Sequence, residues 1–405
     1  GEEIVNEQTY SFTDRGGRDV TIRPEMTPSV ARMVARRRKE LAFPLRWYSN
    51  PNLFRYERPQ RGRVREHWQL NVDMFGVESV AADIEIISVA HNIMHAFGAK
   101  KGNFEIKIND RRITNFLLTS YLNINKKQVY KPSMLRKVIN LIKNLFYRPS
   151  PHLVTLHVHQ LSKLIDRKGK MSQEDFVEQA QDVLGDKTET FVNFLNNKDI
   201  DNLPEEFAEN EGVITVKKLL KDLNEIGITN VVYDPTIMRG FDYYTGMVFE
   251  IFDTGSENNR SLFGGGRYDN LVGIFDVEKV CGVGFGMGDV TIQDYLETYD
   301  LIPKDLKSST DIYICVFASE YEKDANMLAR YLRENGVSVA VDITNRKIPA
   351  QIKTADKKNI SFIICIGGDE VVSGRYKLKE LSLREEREVD KDGIVQVILE
   401  NKKER

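Results

Sequence analysis

The sequence predicts an α/β protein of 405 residues: an α+β domain with an antiparallel sheet, a helical insertion inside it, and a parallel-stranded α/β domain at the end. Three observations carry that expectation. Between Leu53 and Gly76 the chain runs out through Arg55, Glu57 and Arg58, turns at Pro59-Gln60-Arg61-Gly62, and returns with Trp68, Leu70, Val72 and Met74 alternating with Gln69, Asn71 and Asp73. Period two marks a strand, so this reads as an antiparallel hairpin. Gly282-Val-Gly-Phe-Gly-Met-Gly288 has the same period and places four glycines on one face. From Asp311 onward, apolar runs at 311–317, 337–341 and 361–367 alternate with helical patterns at 321–334 and 348–358, the βαβαβ pattern of a parallel sheet.

Taken in order, the chain begins at Gly1-Glu2-Glu3-Ile4 without a methionine, and an amino-terminal segment is expected ahead of it. Arg15-Gly16-Gly17-Arg18 between apolar alternations predicts a β-hairpin. Thr27 before Pro28 reads as an N-cap with proline at the first helical position, opening a helix over 29–38. Glu25 just ahead is either a surface acid complementing the helix dipole or a carboxylate aimed into a cleft.

In the central hairpin, Arg55, Glu57, Gln69, Asn71 and Asp73 would share one polar surface, either solvated or suited to a polar ligand. The tip carries Arg58, Arg61, Arg63 and Arg65, whose guanidinium forks match phosphate oxygens. Ala81 to Phe97 reads as a helix. Its His91 and His95 fall four apart, a metal-ligand spacing, but with no third ligand nearby they read as packing or surface groups. A strand follows at 104–109, and low glycine content with helical periodicity predicts the insertion over 111–223.

Sheet character returns at Val231. In Arg239-Gly-Phe-Asp-Tyr-Tyr, buried Tyr243 and Tyr244 would need hydroxyl partners. Gly264-Gly265-Gly266 lacks the lysine and spacing of a phosphate-binding loop and reads as a flexible turn. The glycine face of 282–288 would let something flat lie on it, unless the run is a closely packed helix. The stretch from Tyr295 to Thr310 reads as the linker. Domains are thus expected over 1–297, with the insertion inside and a linker over 298–310, and over 311–405.

Composition bounds the function. With 41% hydrophobic and 29% charged residues the balance is that of a soluble globular protein. A net charge of −2 leaves nucleic-acid contact to local basic patches. No apolar run approaches the roughly 18 to 20 residues that span a bilayer, and no signal peptide is recognisable, so a cytoplasmic protein is expected. Cys281, Cys315 and Cys365 lie far apart in apolar runs and read as reduced packing residues. Arg346, Lys347, Lys353, Lys357 and Lys358, around the second helix of the last domain, are either a phosphate-contacting set or a solvated helix face.

Phe54-Arg-Tyr-Glu-Arg-Pro-Gln60 with the Gln69 to Gly76 return resembles motif 2 of the class II aminoacyl-tRNA synthetases. Arg239-Gly-Phe-Asp-Tyr-Tyr244 resembles a signature peculiar to the histidyl-tRNA synthetase family. Gly282 to Gly288 resembles the start of motif 3, and 311–405 is similar to the family's anticodon-binding domain. The resemblance implies that histidine and ATP form histidyl-adenylate, and that the histidyl group passes to the 3′ end of tRNA-His. It implies Arg55 and Arg239 as catalytic cations on the α-phosphate, Glu57 on adenine, Arg63 on the distal phosphates, Gly286 and Gly288 under ATP, and Mg²⁺ as the ion neutralising the phosphates. No protein-bound metal is expected besides, since His91 and His95 have no third ligand nearby and the cysteines lie far apart. For histidine it implies Glu25, Thr27 and Gln69 near the ammonium, with Arg239, Asp73, Tyr243, Tyr244 and Tyr268 around the rest. It implies a homodimer, although motif 1 is not recognisable; if the last domain binds the anticodon, Arg346 and Lys353 of its basic set are the expected tRNA contacts, unless that set is a solvated helix face. Where the family carries an arginine stacking on adenine, this chain reads Asp289-Val290-Thr291, so stacking would need another group. The alternative is a non-catalytic paralogue such as the regulatory subunit of ATP phosphoribosyltransferase.

Overall fold

The computed structural model describes residues 8–58, 62–124, 153–238, 243–255, 257–258, 260–303 and 308–403. Arg61 and Arg239, expected at the site, lie outside them. The chain forms two compact units, 1–301 and 302–405.

The first unit opens with a hairpin, β1 (Tyr10–Thr13) and β2 (Asp19–Ile22), paired from Thr13–Asp19 to Tyr10–Ile22 around Gly17 at φ +77°. Helix α1 (Thr27–Arg37) starts at Thr27 itself. The expected N-cap at Thr27 is therefore displaced by one: the carbonyl of Met26 accepts from Ser29 and Val30, and no side chain caps the turn. Strands β3 (Leu45–Ser49), β4 (Asn52–Phe54) and β5 (Glu66–Phe75) follow, then α2 (Val80–Ala96), β6 (Phe104–Asp110) and α3 (Arg111–Phe116). Helices α4 (Leu153–Arg167), α5 (Gln173–Leu184), α6 (Thr188–Asn196) and α7 (Glu211–Glu225) make up most of the described insertion. Strands β7 (Val231–Tyr233), β8 (Met247–Asp253), β9 (Ser261–Arg267) and β10 (Gly282–Gly288) and helix α8 (Asp289–Thr298) complete the unit.

Its sheet runs β3-β5-β10-β9-β8-β6-β7, with β4 also paired to β5. Every adjacent pair is antiparallel except β6–β7. One face is a continuous apolar core in which Met74, Val283 and Phe285 meet Ile86, Ile87 and Met94 of α2, and which extends through Phe176 and Phe191 of the insertion. The other face differs from an ordinary half-solvated strand. On β5 the polar Asn71 and Asp73 are buried, while Leu70 and Val72 are only partly so.

Three further expectations change. Arg55 and Glu57 lie beyond the end of β4, in the connection and not on a strand. The glycines 264–266 are not a turn but the buried middle of β9: a Cβ on Gly265 would come within 1.9 Å of the Gly284 carbonyl, and one on Gly264 within 2.2 Å of the Phe249 carbonyl. Only glycine allows the strands to approach this closely. Tyr295, at the head of the expected linker, is fully buried inside α8.

The second unit contains β11 (Ile312–Val316), α9 (Glu322–Glu334), β12 (Val339–Val341), α10 (Ile348–Lys357), β13 (Phe362–Ile366), α11 (Gly368–Ser373), β14 (Tyr376–Glu380), β15 (Glu385–Val389) and α12 (Lys391–Lys403). Its order is β12-β11-β13-β14-β15, parallel across the first three strands and antiparallel beyond. Period two on β11 sends Ile312, Ile314 and Val316 against α9 and α12, and Tyr313 and Cys315 against Ala355 of α10. Cys315 and Cys365, distant in sequence, are register partners and both are free thiols. Among the described residues no helix is long and apolar enough to cross a membrane.

Candidate active site

The polar face of the first unit's sheet forms the floor of a cleft of about 750 Å³. Its width follows from the glycines of β10. Gly288, Gly286 and Gly284 lie opposite Gln69, Asn71 and Asp73 of β5, and Gly286 and Gly284 lie opposite Gly264 and Gly266 of β9. The expected bare surface is partly occupied by neighbours. A Cβ on Gly286 would meet the Gln69 amide at 1.7 Å, and one on Gly284 would stand 2.8 Å from both the Asp73 carboxylate and the Tyr268 hydroxyl. At Gly288 the nearest atom, His67 Cδ2, is 3.9 Å away, and there the floor is open.

At one end of the cleft are three tyrosines. Tyr243 packs 4.8 Å from Tyr244 and 5.8 Å from Tyr268, measured between ring centroids. The Tyr243 hydroxyl donates to Glu25 at 3.0 Å, so Glu25 faces the cleft and is not a surface acid. Thr27 lines the wall beside it. Tyr268, 1% exposed, donates its hydroxyl to Asp73, which is 3% exposed. Asp73 is not on the lining but beneath it, reaching the cleft through Tyr268. Burial pushes the Asp73 carboxyl up to about 7, the Tyr268 hydrogen bond pulling the other way. Tyr268 itself is held well above the usual tyrosine range, first by burial and then by the Asp73 charge.

Toward the open floor come the charged residues of the β4–β5 connection. The Arg55 Nε donates to the Pro24 carbonyl at 2.9 Å, fixing the guanidinium at the wall. Arg63 pairs with Glu57 at 3.2 Å, yet Glu57 Oε2 is buried and accepts no hydrogen bond. Arg65 lies over the Tyr56 ring at 4.5 Å and donates to the Glu57 carbonyl, so it belongs to the loop's own structure. The Thr291 hydroxyl donates to the Leu262 carbonyl at 2.5 Å.

The cleft thus gathers Glu25, Thr27, Arg55, Glu57, Arg63, Gln69, Tyr243, Tyr244, Tyr268, Gly286 and Gly288, while Asp73 sits one layer below. It also contains residues that the sequence reading passed over. His67 shares the parity of Gln69, Asn71 and Asp73, a signal that could have found it; burial, and then Arg55, hold its imidazole below the ordinary value. The far wall is built by Lys168, Lys170 and Lys198 of the insertion, with Lys107 and Asp234. Lys198 pairs with Asp234 at 3.1 Å, and burial lowers Lys168. No local pattern announced them. In the second unit, Arg346 donates to Thr344 at 2.8 Å and Thr354 at 3.1 Å and lies 3.6 Å from Asp342, whereas Lys353 is exposed.

A family model described as histidyl-tRNA synthetase matches residues 1–288, and one described as an anticodon binding domain matches residues 311–401. The histidine–tRNA ligase of Leptospira biflexa is 39% identical over 391 residues, spanning 95% of this chain and 82% of that protein. The histidine–tRNA ligase of Thermoplasma volcanium is 33% identical over 399 residues, spanning 95% and 83%. In fold, the chain is similar to the crystal structure of histidyl-tRNA synthetase from Nostoc, with a TM-score of 0.72 over 97% of this chain and 86% of that one, at 22% identity. On the extent of these matches, the chain belongs to the histidyl-tRNA synthetase family.

Proposed function

We propose that this family member is an active histidine–tRNA ligase, joining histidine to ATP as histidyl-adenylate and passing the histidyl group to tRNA-His. The observation that carries the reading is the buried Asp73–Tyr268 pair in a cleft that also holds Arg55 and Arg63. Because Tyr268 donates its proton to Asp73, its oxygen retains lone pairs that can accept an imidazole N–H. Asp73 is then a positioning residue, setting which way that hydroxyl points. Glu25, oriented by Tyr243, suits the ammonium group, with Thr27 and Gln69 beside it. The resemblance adds Arg239.

The amino acid's carboxylate oxygen attacks the α-phosphorus as the bond to the pyrophosphate oxygen breaks. Charge grows on the α-phosphate oxygens, and Arg55, already tethered to Pro24, meets it without reorganising. Arg239 is assigned the second cation there. Arg63 faces the distal phosphates, and the unsatisfied Glu57 Oε2 suits the amino group of adenine. With Thr291 turned to the backbone, the open floor at Gly288, next to Gly286 whose face Gln69 covers, leaves the neutral His67 ring as the surface on which adenine rests. Glu250, a carboxylate lining the cleft, would hold Mg²⁺ together with phosphate oxygens and water, where the ion supplies charge neutralisation.

Lysines on the insertion wall give the polyanionic acceptor end of tRNA a favourable approach. In the second unit Lys353 is the better phosphate contact and Arg346 the poorer, being held by its own neighbours. A homodimer in the cytoplasm completes the reading. Tyr48 is 79% exposed and Trp68 52% on the same face of β3 and β5, beside the sheet edge, and a second copy would cover them. The anticodon-binding match favours the ligase over a non-catalytic paralogue. Histidine-dependent exchange of pyrophosphate into ATP tests this: exchange is expected in the parent and lost in Arg239→Ala with histidine binding still measurable. A parent that binds histidine but never exchanges pyrophosphate would establish the paralogue instead.

A further inference from the structure

His91 and His95 lie on the last two turns of α2 and do not line the cleft. We infer that they form a two-point chelate for a divalent transition-metal ion, Zn²⁺, Ni²⁺ or Cu²⁺. The four-residue spacing puts both rings on one helix face, and their Nε2 atoms stand 3.2 Å apart. Two imidazole nitrogens, each about 2.0–2.1 Å from a tetrahedral metal, would lie about 3.3 Å from one another.

In the metal-bound state the orientation of each ring is set by other groups. Gly98, at φ +91°, turns the chain after α2 so that the Ala99 carbonyl lies 2.9 Å from His95 Nδ1. A carbonyl can only accept, so Nδ1 carries the proton and Nε2 of a neutral His95 presents its lone pair, as in histidine ligands held by a backbone acceptor. His91 Nδ1 lies 3.4 Å from the Asn92 side-chain oxygen, an acceptor of the same kind. Both rings rest on the buried ring of Phe104, at 5.6 and 5.5 Å between centroids, which limits their rotation. Without a metal, one Nε2 proton on His91 bridges the pair. Binding moves that proton to Nδ1 of the same ring, toward Asn92, so no net proton is released. The helix carboxyl terminus, where backbone dipoles favour positive charge, also suits a cation. Among the described residues no group of three His, Cys, Asp or Glu side chains converges, so water completes the shell and the ion exchanges readily.

The experiment is a titration of the chelator-treated full chain with Ni²⁺ or Zn²⁺ by calorimetry. It is run without free histidine, which would itself bind these ions, and is paired with electron paramagnetic resonance of the Cu²⁺ complex. One site is expected in the parent, weakened at least tenfold in both His91→Gln and His95→Gln, with two coupled imidazole nitrogens in the parent spectrum and one in each variant. Glutamine is a good helix former, so the fold is retained, as circular dichroism would verify, and pyrophosphate exchange should be unchanged. Parent-like affinity in either variant, a single coupled nitrogen in the parent, or no binding by the parent overturns the inference.

Discussion

Consecutive residues at the end of β9 reach two buried aspartates on opposite sides of the sheet. Arg267 meets Asp83, at the start of α2, and Tyr268 meets Asp73 beneath the cleft. Around Arg267 every arm of the guanidinium is engaged: Nε with Asp83 at 3.0 Å, one terminal nitrogen with the Val77 carbonyl and Asp269, and the other with the Ser79 carbonyl. Burial pushes Asp83 up to about 6, with Arg267 drawing it back. Asp73 faces a single neutral hydroxyl and no cation, and stands at about 7. The first network is closed and fastens α2 to the sheet. The second has one donor and no cation, and it is this pair to which the proposed function assigns the imidazole.

Breaking the closed network should have the larger effect. Arg267→Met leaves Asp83 and Asp269 without their cation and should cost about 3–5 kcal/mol of stability, read as a fall in the denaturant midpoint; a loss below about 1 kcal/mol would mean that the network does not fasten the helix. Asp73→Asn should leave stability at neutral pH nearly unchanged or improved. It should nevertheless weaken histidine about 10- to 100-fold, the value of about 1–3 kcal/mol for a misplaced buried polar partner, with ATP affinity preserved. Equal losses for both ligands would remove Asp73 from the histidine end.

The third effect is the most diagnostic. A carboxyl whose folded value lies above its unfolded one binds more protons in the folded state. Its contribution is therefore fully present below about pH 4 and is lost as pH rises toward 7, by at most about 1.4 kcal/mol per pH unit. The parent's stability should fall relative to Asp73→Asn across that interval. Denaturation of the two proteins at pH 4.5 and 7 checks the sign, and parallel curves would show that Asp73 is ionised throughout.

Much of the first unit was legible because period-two alternation is a property of the chain itself. The polar parity of β5 disclosed Gln69 and Asp73, and by the same rule would have disclosed His67. What stayed hidden depends on what comes to lie beside a residue. Gly264 to Gly266 resemble a turn until β10 brings a second glycine strand against them. Lys168 and Lys198 look like any solvated lysines until the insertion places them over the sheet, and Arg346 looks free for phosphate until Thr344, Thr354 and Asp342 are seen to hold it. Arg239 is singled out by its motif and Arg61 by the cluster of arginines at the hairpin tip, and both lie outside the described residues.

The pairing of β5 with β10 has a consequence for synthesis on the ribosome. Phe75 and its partner Gly282 are about 200 residues apart, and translation proceeds at about 5–20 residues per second. For roughly 10–40 s, therefore, the nascent chain carries β5 with one edge unpaired and with Asn71 and Asp73 lacking the neighbours that will bury them. An unpaired edge of this kind can recruit a strand from another chain, so the interval is when a chaperone on the emerging polypeptide would matter most, and slowing translation after β5 should lower the soluble yield before it alters the activity of the molecules that fold.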